Sequence, residues 1–191
     1  LIKKELLTKE ECEACDWGGS ESYVDYEKMY LSRYKLLRKA YEKADLKTNP
    51  DYAEFLKEEK DWLQDYCLFM AIKNDQKGIC WIDWPEELKD RHSKAVKEAE
   101  KELAEEIEFY RFQQYCFTTQ WRKLKAYANK KDISIIGDVP IYVALDSSDA
   151  WANPEMLQFD EDHNPKSVAG CPPDAFSATG QLWGNPLYDW K

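Results

Sequence analysis

The chain has 191 residues, with 27 Lys+Arg against 37 Asp+Glu for a formal charge of −10, and it is 43% hydrophobic and 14% aromatic. That balance is too apolar for a disordered polymer and offers no basic patch for phosphate neutralisation, which excludes nucleic acid as a partner. No stretch approaches the ~18 uninterrupted apolar residues of a bilayer span. The start, Leu1-Ile2-Lys3-Lys4, has no signal-peptide core and no Met, so the expectation is a cytoplasmic chain cut from something longer, with no membrane partner.

Six cysteines are scattered through the chain. Only Cys12 and Cys15 lie close, without the second pair or Cys/His partner that a structural zinc would need, so reduced thiols are expected. Residues 1–136 hold three of the seven Gly and two of the eight Pro, and read as helices. From Tyr23, with Ser22 as N-cap, Tyr26, Met29, Tyr30, Tyr34, Leu37, Ala40 and Tyr41 recur at steps of three or four. Asn49-Pro50 is a cap followed by proline at the first helical position. It opens a broad apolar face from Tyr52 through Met70 that closes at Gly78.

Trp81-Ile-Asp-Trp84-Pro85 is an aromatic connector into a short helix. After Ser93 the periodic positions Val96, Ala99, Leu103, Ile107, Tyr110, Gln114, Phe117, Trp121, Leu124 and Ala128 define a long helix. Beyond Phe109 it turns apolar nearly all round, which predicts burial on several sides. Ile133-Ser-Ile-Ile136 then reads as the buried parallel strand of a βα unit, ending at Asp138, where α/β folds place their chemistry. Further on, Leu157-Gln-Phe159 is expected to pair with Ser167-Val-Ala169 across an acidic turn. Asp160-x-Asp162-x-Asn164 begins like a calcium loop, but Pro165 and Cys171 stand where glycine and glutamate are needed, so it is read as a solvated turn.

No Gly-rich phosphate loop, G-x-S-x-G elbow or H-E-x-x-H occurs. Residues 137–191 carry nine acidic side chains against Lys166 and Lys191, interleaved with Tyr142, Trp151, Phe176, Trp183, Tyr188 and Trp190. Carboxylates accept hydrogen bonds from hydroxyls, and aromatic faces stack on sugar rings, so the mixture suits an uncharged polyol. An acidic, proline-braced surface loop around a small aromatic core fits the same residues equally well.

Three stretches settle on one likeness. Ile135-Ile-Gly-Asp138-Val-Pro-Ile-Tyr-Val-Ala-Leu-Asp-Ser147, Asp149-Ala-Trp-Ala-Asn-Pro154, and Val168-Ala-Gly-Cys-Pro-Pro-Asp174-Ala-Phe-Ser-Ala-Thr-Gly-Gln-Leu-Trp-Gly-Asn-Pro-Leu-Tyr-Asp-Trp190 resemble the 4-α-glucanotransferases of glycoside hydrolase family 77. Trp62-Leu-Gln-Asp-Tyr66, Trp84-Pro-Glu-Glu-Leu88 and Glu105-Glu-Ile-Glu-Phe-Tyr110 through Trp121 extend the resemblance along essentially the whole chain, and bacterial members match best.

The resemblance implies an α/β fold: a fragment of a (β/α)8 TIM barrel, mostly α-helical as cut, with one barrel strand and a lid loop. On it, 1–132 is a helical subdomain with barrel helices, and 133–191 is barrel strand 3 with substrate-cleft and lid loops. The implied activity is transfer of an α-1,4-glucan segment to the 4-hydroxyl of another glucan by a retaining double displacement, without metal or cofactor. Its partner is a maltooligosaccharide. Asp138 matches a strand-end aspartate that binds the donor sugar. Asp174, Phe176, Ser177, Gln181 and Trp183 match the lid that covers the acceptor side. Ala175 departs from the tyrosine many members carry. The family's nucleophilic aspartate, general-acid glutamate and third aspartate have no counterpart here, so the fragment is expected to be inactive and, with uncovered apolar faces, prone to self-association. A non-catalytic helical carbohydrate-binding or interaction module is the alternative.

Overall fold

The computed structural model describes residues 1–190, and over that range the chain is mostly helical with one small sheet. The helices are α1 (Lys9–Glu13), α2 (Tyr26–Lys43), α3 (Pro50–Glu58), α4 (Lys60–Asp75), α5 (Glu86–Lys89), α6 (Ser93–Glu102), α7 (Ala104–Asn129) and α8 (Ser148–Ala152). Strands β1 (Val168–Cys171) and β2 (Gln181–Pro186) pair antiparallel, with Gly170 opposite Leu182 and Cys171 opposite Gln181. Among the described residues no helix is long and apolar enough to cross a membrane, and all six cysteines are free.

The helix ends follow local chemistry. Asn49 Oδ1 accepts from the amides of Asp51 and Tyr52 while Pro50 occupies the first turn, the arrangement read from Asn49-Pro50. Helix α2 starts three residues later than its apolar pattern, because Asp25 caps it by accepting from the Lys28 amide and Ser22 does not. The two long periodic runs are each broken once. Glu59 (φ −101°, ψ 12°) separates α3 from α4, and Leu103 (φ −101°, ψ 18°) separates α6 from α7. At both points the apolar face continues on the far side of the break, so periodicity runs on where the helix axis turns.

Two apolar clusters hold the body together. In the larger one α4 packs on α7, bringing Phe55, Leu63, Leu68, Phe69, Ile107 and Tyr110 out of water. Trp81 and Trp151, both fully buried, anchor its C-terminal side. Trp151 lies 5.7 Å from Trp84 and 5.9 Å from Phe69, between ring centroids. Each indole N–H needs an acceptor in that setting. Trp151 donates to the Leu88 carbonyl (2.9 Å) and Trp81 to the Leu145 carbonyl (2.7 Å). The smaller cluster joins Leu7, Leu36 and Ala40 to Phe109 and Phe112. At its edge Arg38 Nη2 donates to both Glu106 carboxylate oxygens (2.7 Å each), and the guanidinium covers the Phe109 ring.

Three expectations are corrected. Ile133–Ile136 is not a strand, since the whole of 133–140 is an exposed arm, with Ile136 at 93% exposure. Among the described residues, the only amide from 134 to 142 with a hydrogen-bond partner is that of Val139, which donates to Asp138 itself (2.8 Å). A β-branched run becomes a strand only against a neighbouring ladder, and the described residues supply none here. Second, α7 is buried at Phe109, Tyr110, Phe112 and Tyr115, but Phe117, Trp121, Leu124 and Tyr127 face outward. The apolar surround of its second half therefore covers nothing among the described residues.

Third, Leu157 bridges to Tyr188, and Phe159 pairs with Pro165, not with Ser167-Val-Ala169. The acidic turn does close, because Asp160 Oδ1 accepts from the amides of Asp162 (3.0 Å) and Asn164 (2.8 Å). Val168–Cys171 instead takes β2 as its partner.

Candidate functional site

The six residues singled out from the sequence fall on two segments, the exposed arm and the β1–β2 hairpin. The hairpin's connection, 172–180, is organised by Asp174. Its Oδ1 accepts from the amides of Phe176 and Ser177 (2.8 Å each), while its own amide donates to the Ser177 carbonyl (2.9 Å). This is an Asx-type turn, in which a carboxylate substitutes for a backbone acceptor. Ser177 Oγ donates to the Gly180 carbonyl at 2.8 Å and tightens the loop. Gly180 (φ 75°) sits in the left-handed region, where a Cβ would lie 2.6 Å from the Cys171 carbonyl oxygen. The strands also approach closely at Gly170, where a Cβ would meet the Gln181 carbonyl at 2.5 Å.

The result is a preshaped tip with Phe176 at its end, 97% exposed, its ring free on both faces. Along β2, Gln181 and Trp183 are both exposed, and Trp183 Nε1 donates to Gln181 Oε1 (2.8 Å). The amide of Gln181 thus remains free to hydrogen-bond elsewhere while the indole is oriented.

Asp138 lies midway along the arm, exposed. The arm reaches the hairpin through two contacts. The Tyr142 ring lies 6.3 Å from Trp183 and stacks on Tyr188 at 6.1 Å and 17°. Asn185 Nδ2, two residues beyond Trp183, donates to the Val143 carbonyl at 2.9 Å. Sequence spacing distinguishes neither Tyr142, one of several alternating aromatics, nor Asn185. Its target is a carbonyl 42 positions away, which no local spacing signals.

The arm's far end is held from the helical body. Lys73 Nζ pairs with Asp146 (2.5 Å) and also donates to the carbonyls of Gly78 (3.0 Å) and Ile79 (3.1 Å). The Trp81 indole holds the Leu145 carbonyl between these points. So the structure brings Asp174, Phe176 and Ser177 into one turn, aligns Gln181 and Trp183 beside it, and ties that hairpin to Asp138's arm. Carboxylates and amides are groups that can hydrogen-bond hydroxyls, exposed aromatic rings can stack on apolar sugar faces, and none of the six is a cation of the kind that favours a phosphate. Elsewhere, an apolar cavity of about 370 Å³ between the N-terminal residues and α7 includes none of the six. The buried Cys67 thiol on α4, pushed up to about 12 by burial, is too poor a thiolate to act as a nucleophile.

The arm and the hairpin, with their exposed aromatic and polar side chains, are seated on an aromatic helical body. The family model for 4-alpha-glucanotransferase (Glyco_hydro_77) matches residues 1–191, and the chain belongs to that family. The 4-alpha-glucanotransferase of Clostridium butyricum is 45% identical over 191 residues, all of this chain and 39% of that protein. The Thermus thermophilus protein of the same name is 46% identical over 179 residues, 92% of this chain and 36% of its own length. The amylomaltase from Streptococcus agalactiae, solved in complex with acarbose, superposes with a TM-score of 0.92 at 37% identity, covering 99% of this chain and 39% of that one. The chain therefore spans about two fifths of the length of these relatives.

Proposed function

We propose that this chain is the part of a bacterial 4-α-glucanotransferase that supplies barrel strand 3 with the substrate-cleft and lid loops (133–191), carried on a helical subdomain with barrel helices (1–132). The observation that carries the reading is the braced tip: Asp174 and Ser177 are consumed in shaping a turn whose product is the bare Phe176 ring beside Gln181 and Trp183. On this reading Asp138 accepts hydrogen bonds from hydroxyls of the donor sugar, while Phe176 and Trp183 give stacking faces to the acceptor glucan and Gln181 a polar contact. The exposed isoleucines of the arm become a buried strand when flanking barrel strands pair with it.

The whole protein would break an α-1,4 bond in a maltooligosaccharide and pass the glucosyl chain to a 4-hydroxyl. Retention requires two displacements, with nucleophile and acid/base carboxylates about 5–5.5 Å apart. Neither carboxylate has a counterpart among these residues, so their contribution is to bind, orient and exclude water. A lid that keeps water out lets a bound sugar hydroxyl win over hydrolysis, and proximity of the acceptor supplies the rate. No metal or cofactor takes part.

The test is disproportionation of maltotriose. The full-length protein should yield glucose and longer maltooligosaccharides, and the 191-residue chain alone neither. In the full-length protein Asp138→Asn should cut kcat/KM by roughly 10- to 100-fold, the value of a hydrogen bond to a charged group. A full-length protein that leaves maltotriose unchanged, or a chain alone that rearranges it, refutes the proposal.

A further inference from the structure

Two segments contribute to the proposed cleft, and among the described residues one side-chain hydrogen bond, from Asn185 to the Val143 carbonyl, joins them. Between residues 134 and 142 the arm makes, among the described residues, only one hydrogen bond, from the Val139 amide to Asp138, beside the ring contacts of Tyr142. From Val143 on it is held by side-chain donors on three different elements. Asn185 Nδ2 of β2 reaches the Val143 carbonyl at 2.9 Å, Trp81 Nε1 reaches the Leu145 carbonyl at 2.7 Å, and Lys73 Nζ of α4 reaches Asp146 at 2.5 Å. Trp81 and Lys73 belong to the helical body and can only fix the arm to that body. Asn185 belongs to the hairpin, two residues beyond Trp183, directly after Gly184 (φ 79°) and before the buried Pro186. The left-handed residue redirects the strand, and the buried proline pins it, so the Asn185 amide is aimed at the arm and not at solvent.

We infer that Asn185 is a positioning residue that locks the lid hairpin to the arm bearing Asp138, so that acceptor binding and donor-sugar binding are set in one geometry. The inference rests on the glucan-cleft reading above. With the amide in place, moving the hairpin away from the arm costs the bond to Val143 and the Tyr142–Trp183 contact together. With a carboxylate there, the donor becomes an acceptor facing an acceptor, and the hairpin is pushed off the arm. The lid then seats poorly, and water competes better with the acceptor hydroxyl. The affected quantity is the division of the glucosyl chain between sugar and water, which is counted per turnover and is insensitive to how much enzyme is folded.

The experiment uses the full-length enzyme with maltotriose and compares wild type with Asn185→Asp and Asn185→Ser. Hydrolysis is read as the new reducing ends formed per transfer product. Asn185→Asp should raise the hydrolysed share and the KM for acceptor about fivefold, the fold-change that follows from one net hydrogen bond. Asn185→Ser, which keeps a donor on a shorter reach, should fall between the two. At decreasing pH the Asn185→Asp share should move back toward the wild-type share measured at the same pH, as the carboxyl gains a proton to donate. A hydrolysed share equal to wild type in Asn185→Asp, with KM unchanged, overturns the inference and leaves the cleft reading standing. A wild-type enzyme without disproportionation overturns the cleft reading itself. Should Asn185→Asp not fold, Lys73→Met loosens the arm from outside the cleft: a raised hydrolysed share supports the role of arm placement, and an unchanged one overturns it.

Discussion

Trp151 is the point at which the C-terminal third of the chain is riveted to the helical body, and its removal gives a sharp energetic expectation. The indole is fully buried, its ring meets Phe69 and Trp84, and its N–H holds the Leu88 carbonyl. The Arg91 guanidinium, itself paired with Asp65 at 2.5 Å, lies 4.1 Å above the ring. Truncation of a buried tryptophan to alanine costs about 3–5 kcal/mol through lost burial and the cavity left behind. The orphaned Leu88 carbonyl and the lost Arg91 stacking add roughly 1 kcal/mol, kept low because Arg91 is partly solvated.

Trp151→Ala should therefore destabilise the chain by about 4–6 kcal/mol, a large part of the roughly 5–15 kcal/mol that holds an ordinary domain together. Trp151→Phe keeps a ring against Phe69 and Trp84 and loses only the N–H and part of the volume, so it should cost about 1–3 kcal/mol. Urea unfolding followed by far-ultraviolet circular dichroism measures both. Equal costs for the two variants, or an Ala variant within about 1 kcal/mol of wild type, would refute the assignment of Trp151 as the rivet.

Three further outcomes are expected. The Glu11 carboxyl is held below the usual range by the Thr8 amide it accepts from, Asp45 by the Thr48 hydroxyl, and Asp160 by the Asn164 amide. Carboxyls held down in the fold contribute above their unfolded pKa of about 4 and lose that contribution as pH falls through the lower folded values, so the thermal midpoint should drop on acidification below about pH 5. At the other end burial raises the Tyr52 and Tyr110 phenols well above their usual value, so their contribution is present below about pH 10 and lost above it. A midpoint that rises on acidification contradicts the carboxyl assignment. Gly180→Ala places a Cβ against the Cys171 carbonyl at a left-handed φ, and should speed exchange of the amides from Gln181 to Asn185 at least about tenfold, while helical amides are unchanged. In the full-length enzyme Ala175→Tyr adds a second stacking face beside Phe176 and should lower the acceptor KM about two- to fivefold; a KM that stays put removes the lid tip from acceptor binding.

Much of the helical body was legible in advance because an apolar stripe at steps of three or four states which face is buried, and Asn49-Pro50 states where a helix begins. The breaks at Glu59 and Leu103 were not, since a turn of the helix axis leaves the stripe intact. The outward face of α7 from Phe117 to Tyr127 shows the limit of the same signal: apolar residues declare that a face wants cover, and only a partner decides whether it has any. The arm failed for a related reason. Ile133, Ile135 and Ile136 carry strand propensity, but a strand is a relation between two backbones, and propensity resides in one. Of the proposed cleft, the chemistry of the residue types was readable, and the roles proposed for them came only with the resemblance. The bonds that assemble the two segments, Asn185 to Val143 and Lys73 to Asp146, join positions 42 and 73 residues apart and left no trace in spacing.

The unpaired arm has a consequence for solubility. A run of β-branched residues with bare amides is a template for edge-to-edge stacking with another copy. Here the template is kept short. Asp132, in a left-handed conformation (φ 61°), turns the chain immediately before Ile133, Asp138 sets a charge after five further residues, and Pro140 removes an amide altogether. Each is a gatekeeper in the sense used for aggregation-prone segments. The aspartate proposed to hold a donor sugar would thus have a second duty, keeping the unpaired run too short to template the growth of a sheet.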